Sequence, residues 1–137
     1  MIIYHSIIRH HLLIALALAL SFGLLGGVVF ASNAVWIDGS KARLQALDKI
    51  TARISTVESF VGAAHFFGTL EITVERCAFH PPEDPPENAA FITVYDRSHD
   101  GLKPNLVFSG WVFSSSPAVS ALEHPVYDLT LLACIND

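Results

Sequence analysis

The stretch Thr69-Leu70-Glu71-Ile72-Thr73-Val74-Glu75-Arg76-Cys77 alternates apolar and polar side chains from Leu70 to Glu75. Successive residues of a β-strand point to opposite faces, so Leu70, Ile72 and Val74 line one face and Glu71, Thr73 and Glu75 the other. At Arg76-Cys77 the same alternation puts a charge on the apolar face and a thiol on the wet one. That reversal predicts a bulge or a strand end.

Outward from this strand the pattern repeats. Phe66-Phe67-Gly68 leads into it, and residues 89–95 (AAFITVY), 106–113 (LVFSGWVF) and 127–135 (YDLTLLACI) are rich in aromatic and β-branched side chains. Ile50, Ala52 and Ile54 alternate with Thr51, Arg53 and Ser55, which predicts a further half-buried strand. The punctuation agrees. Pro81, Pro82, Pro85 and Pro86 lack the N–H that a ladder needs, so 80–87 is a loop. Asp100-Gly101 marks a turn, and Pro117 within SSSPAVSALEH suits one short helical turn. Five or six strands in about a hundred residues read as an all-β domain, a small antiparallel sandwich or barrel.

Residues 32–48 read differently, as a linker containing Trp36 and then a short helix. Ser40 is placed to cap that helix over 41–49, with Leu44 and Leu47 three apart on one face. The β domain is then 49–137. Residues 1–31 form a third region. Residues 1–11 carry Arg9, three histidines and no acid, and residues 12–30 are apolar, ending before Ala31 and Ser32. This is the pattern of a secretory signal peptide cut after Ala31. An apolar run of about 20 residues is also long enough for an uncleaved membrane anchor. Both readings keep Arg9 in the cytoplasm and deliver the rest across the membrane, so a periplasmic domain is expected.

Beyond residue 31 the chain has seven basic residues against thirteen acidic ones, a balance of −6. Nucleic-acid binding relies on Lys and Arg displacing counterions from phosphates, so this composition argues against nucleic acid. It argues equally against electrostatic attachment to anionic lipid. Cys77 and Cys134 are the only cysteines, and in an oxidising compartment such a pair reads as a disulfide. The closed loop removes roughly 4 kcal/mol of denatured-chain entropy in the simple model.

Chemistry-bearing groupings are sparse. Cys77 and His80 stand at one metal-like spacing, with His65, His99, His124 and Cys134 as further donors. No second paired step accompanies it, and no metal or other cofactor is expected. Ser114, Ser115 and Ser116 with His124 and Asp128 supply the residue types of a hydrolase, without a G-x-S-x-G elbow. No catalytic residue is assigned. Glu83, Asp84 and Glu87 sit on the stiff proline loop, which suits either a rigid connector or a docking loop. Trp111, Phe113 and Tyr127 offer aromatic area for a core or a contact.

The run FGTLEITVERC, the loop PPEDPPENAAF and the later FSGWVFSSSPAVSALEHPVYDLTLLAC together resemble the DUF2155 family of small exported alphaproteobacterial proteins. The resemblance covers about 47–134. It includes Cys77, the four loop prolines, Glu83, Glu87, Gly110, Trp111, Ser116, Pro117, Ala121 to Pro125, Tyr127, Asp128 and Cys134. This chain departs from the family in having Phe79-His80 where a basic side chain is expected, which weakens any metal role for His80. The resemblance implies a single periplasmic domain and no activity. Genes of the family often lie beside those for an accessory subunit of respiratory complex I, which implies a membrane-protein partner.

The resulting expectation is a non-enzymatic accessory or interaction domain at the inner membrane. Its partner surface is expected at Trp111, Glu123, His124 and Tyr127, with Glu83, Asp84 and Glu87 second. Membrane contact is expected only through 12–30, if they are retained. The alternative is a periplasmic metal- or small-ligand-binding protein or enzyme.

Overall fold

The structure, a computed structural model, describes residues 34–98 and 103–136. The expected leader 1–31 and the Asp100-Gly101 turn lie outside the described residues. Among the described residues there are eight strands: β1 (Ile37–Asp38), β2 (Lys41–Asp48), β3 (Arg53–Phe60), β4 (Ala64–Phe67), β5 (Leu70–Phe79), β6 (Asn88–Asp96), β7 (Asn105–Phe113) and β8 (Tyr127–Ile135). A 3-10 turn, Pro117–Ser120, precedes β8. The strands form two separate sheets and no closed barrel. One has the order β1-β5-β6-β7 with β4 also on β5, and the other runs β3-β2-β8. Every ladder between named strands is antiparallel.

β5 follows its sequence pattern. Leu70, Ile72 and Val74 are fully buried, and a register irregularity between Val74 and Arg76 resets the parity. Cys77 consequently turns inward and Arg76 outward. Ala90, Ile92 and Val94 of β6, Leu44 of β2, and Leu129 and Leu131 of β8 join β5 in one core built from both sheets. Cys77 of β5 is bonded to Cys134 of β8, with Cα atoms 5.6 Å apart, so the expected disulfide stitches one sheet to the other. At about 25 cal/mol per Å² of apolar area, such burial is the main favourable contribution to folding. The disulfide adds its effect through the unfolded chain.

Two expectations are corrected. Residues 41–48 are not a helix but the central strand β2, whose Ala42, Leu44 and Ala46 are fully buried at every second position. β3 on one side and β8 on the other satisfy the backbone of β2, and that tertiary pairing overrides helix propensity. The β domain therefore begins well before residue 49, and Ala34–Asp137 forms one compact unit.

The face read at Ile50, Ala52 and Ile54 is also reversed. Residues 49–52 are a turn in which the Asp48 carboxylate accepts from the amides of Ile50 and Thr51, at 2.9 and 3.1 Å. Ile50 and Ile54 are 74% and 61% exposed, while Val57 and Ser59 face the core. Phe66 and Phe67 belong to an additional strand, β4. A two-residue hairpin with Gly68 at φ +57° joins β4 to β5.

Candidate functional site

The outward shift of Arg76 after the bulge helps to build a hollow on the sheet surface. Cross-strand register places Arg76, Phe91 and Trp111 in one row across β5, β6 and β7, and Ala78, Ala89 and Phe113 in the next. Two adjacent alanines leave a gap between larger neighbours. The result is a hollow of about 340 Å³ lined by Trp36, Arg76, Ala78, Ala89, Trp111 and Phe113. The alanines form its floor, 5% and 4% exposed, while Trp36 and Trp111 stand above it at 43% and 40%.

Each wall has a support. Trp111 meets Phe91 edge-on with centroids 5.6 Å apart, and Trp36 meets His80 at 4.1 Å. Both contacts are worth about a kcal/mol beyond the area they cover. The Nδ1 of His80 lies 2.8 Å from the Pro85 carbonyl, which can only accept, so that nitrogen carries the proton. The lone pair on Nε2 is then buried without a partner. Arg76 pairs with Asp38 at 3.0 Å, and with both side chains more than 60% exposed the pair contributes about 0–1 kcal/mol. The hollow is aromatic, nearly neutral and suited to binding.

The expected partner surface around residues 114–128 is split by the fold. Trp111 belongs to the hollow, and Glu123 is exposed. His124 is 8% exposed, and its Nδ1 accepts from the amides of Val126 and Tyr127 at 3.2 and 3.1 Å. That fixes the proton on Nε2, 3.4 Å from the Asp96 carboxylate. Lys49 donates to the His124 carbonyl, and Tyr127 stacks on the ring at 5.3 Å while meeting Phe67 at 5.5 Å. His124 and Tyr127 therefore hold the β8 approach in place.

Burial opposes ionisation of Asp96. Hydrogen bonds from the Ser98 hydroxyl, the Thr69 hydroxyl, the Ser98 amide and His124 outweigh it and hold the carboxyl far below the usual carboxylate range. Ser114 and Ser115 bond to Glu87, not to His124, and Asp128 accepts from the Leu129 amide. The serine, histidine and carboxylate do not converge as a hydrolase would need.

In the proline loop the three acids also separate. Glu83 is exposed and Asp84 half-buried. Glu87 accepts from the Asn88 amide at 2.9 Å, the Ser114 hydroxyl and the Ser115 amide at 3.1 Å each, and the Ser115 hydroxyl. Burial works against its charge, but these donors lower its pKa on balance. Glu87 is a clamp for the loop. Among the described residues, no three His, Cys, Asp or Glu side chains are grouped to hold a metal ion, and no helix is long and apolar enough to cross a membrane.

Sequence reasoning missed Trp36, Arg76, Ala78 and Ala89. Arg76 was signalled by its place on the apolar parity, but a cavity floored by cross-strand alanines is visible only once the register is known.

Comparison with known proteins bears on the identity of this fold. The family model described as "Uncharacterized protein conserved in bacteria (DUF2155)" matches residues 42–134. The chain is also similar to the uncharacterized protein RP359 of Rickettsia prowazekii (strain Madrid E), at 30% identity over 95 residues. That match covers 69% of this chain and 61% of the relative, so the chain spans about three-fifths of the relative's length. No solved structure matches. The matched segment runs from β2 to Cys134 in β8 and takes in both sheets, and the chain belongs to the DUF2155 family of bacterial proteins.

Proposed function

We propose that this chain is an exported, non-enzymatic accessory domain working on the outer side of the cytoplasmic membrane. In this reading it engages its membrane surroundings through the Trp36–Trp111 hollow and serves a membrane-protein assembly such as respiratory complex I. The observation that carries the reading is the hollow itself, where two tryptophans stay exposed over an alanine floor. Exposed clustered aromatic area of this kind marks a contact surface. The candidate catalytic side chains, by contrast, are bonded within the fold. The basic, then apolar, leader supports export, and the buried Cys77–Cys134 bridge suits an oxidising compartment. The gene neighbourhood implied by the family resemblance supports the choice of assembly.

The test is recovery of the tagged full chain from membranes solubilised in mild detergent, with identification of the proteins that accompany it. Wild type should bring a membrane protein, and Trp36→Ala/Trp111→Ala should lose it while remaining oxidised and folded. Equal recovery by both would refute the assignment of the hollow. A second reading, a small apolar ligand in the hollow, rests on its volume of about 340 Å³, within the range of small-molecule pockets. Thermal stabilisation by such a ligand, abolished in the same variant, would favour it.

A further inference from the structure

We infer that the hollow is a lipid-interface site, in which Trp36 and Trp111 rest in the headgroup region of a zwitterionic bilayer. The inference rests on the reading of the hollow as a contact surface and names its occupant.

Three observations converge. The chain contains only two tryptophans, and both stand over the same alanine floor. Tryptophan has an amphipathic ring that concentrates at membrane–water interfaces, with its apolar body toward the acyl chains and its N–H toward water. Next, Trp36 follows Phe30, the last residue of the apolar run, by six positions, so covalent reach holds it within about 21 Å of that segment. Val35, Trp36 and Ile37 are all exposed, at 58%, 43% and 36%, so the strip of chain that carries Trp36 is itself apolar and open to solvent.

The third observation is charge. The hollow's lining has a single cation, Arg76, already paired with Asp38, and the chain beyond residue 31 is acidic. Such a face has little attraction for an anionic surface but suits a neutral headgroup layer. The Arg76 guanidinium can turn from Asp38 to a lipid phosphate while its stem stays along the hollow.

The experiment uses the full 137-residue chain in vesicles of phosphatidylcholine, with and without bromine on the acyl chains. Because both tryptophans belong to the hollow, all tryptophan emission reports on it. The informative variant is Trp36→Phe, which leaves Trp111 alone. Trp111 sits on β7, at the opposite edge of the sheet from β1, so its quenching by lipid reports on the hollow face and not only on the entry of residues 34–36. Quenching of Trp111 emission by brominated lipid, with protection from iodide, supports the inference. Adding anionic phosphatidylglycerol should not increase the effect. Trp111 emission that brominated lipid leaves unchanged and iodide quenches freely overturns it. If that result accompanies intact recovery of a membrane protein through the hollow, the occupant is protein and only the lipid inference fails.

Discussion

Replacing Gly68 by alanine should be among the most damaging single-methyl changes in this protein. Gly68 has φ +57°, and a Cβ added there would lie 2.3 Å from Tyr127 Oη and 2.5 Å from its Cζ. The left-handed backbone alone costs alanine about 1–2 kcal/mol. The ring must also move, yet it is stacked on His124 and set edge-on against Phe67. Losing those two contacts adds about 0.5–1.5 kcal/mol each. The expected total is about 2–5 kcal/mol. Urea unfolding of the wild type, Gly68→Ala, Tyr127→Ala and the double variant separates the two parts. Without the ring only the backbone cost remains, so Gly68→Ala should cost about 1–2 kcal/mol in the Tyr127→Ala background, and the difference measures the coupling. An equal cost in both backgrounds would refute the steric reasoning.

Other perturbations have equally definite outcomes. Cys77→Ala/Cys134→Ala should lower stability by up to roughly 4 kcal/mol, measured by denaturant midpoint, and added reductant should then have no further effect. The pKa of Asp96 is depressed in the folded state, so its ionised form contributes stability above the ordinary carboxylate pKa, and that contribution is lost as pH falls below about 4. Asp96→Asn should therefore be less stable at neutral pH and show a flatter acid limb in pH-dependent unfolding; an unchanged limb would count against this. Glu87→Ala takes the carboxylate acceptor from the Ser114 hydroxyl and from the Ser115 amide and hydroxyl, while the Asn88 amide keeps Ser114 Oγ, and should cost about 1–3 kcal/mol. It should also make residues 80–87 more sensitive to limited proteolysis. Trp111→Ala removes an exposed ring and should cost far less stability than a core truncation of about 3–5 kcal/mol, by the same unfolding measurement.

The legible parts of the fold were those whose signal lay within one segment. β5 carried its own alternation, β6, β7 and β8 their aromatic and β-branched side chains, and the proline loop and the turn at Pro117 residues that cannot extend a ladder. β2 hid because two of its three buried positions are alanines, whose weak hydrophobic signal left Leu44 and Leu47 to suggest a helical face. β3 was read on the wrong face because Ile50 and Ile54 are exposed, and its inward face includes the polar Ser59. The site was less legible for a different reason. Trp36, Arg76, Ala78, Ala89 and Trp111 are far apart in sequence and meet only through β1–β5–β6–β7 pairing. His124 drew attention as a polar contact residue, but its environment, two backbone donors and a carboxylate, depends on where β6 and β8 pass each other.

The position of β8 bears on how the molecule comes into being. β2, near the start of the domain, pairs with β8, its last strand, along eight registered positions. The disulfide also waits for residue 134. Until β8 emerges, β2 has only a hairpin partner, the second sheet has two strands instead of three, and Cys77 has no second thiol with which to form the disulfide. Two-stranded hairpins are marginal by themselves, and pairing of such distant segments is slow. A nascent or truncated chain ending before Tyr127 should therefore stay unfolded and protease-sensitive. Commitment to the native state therefore waits on the nine residues of β8.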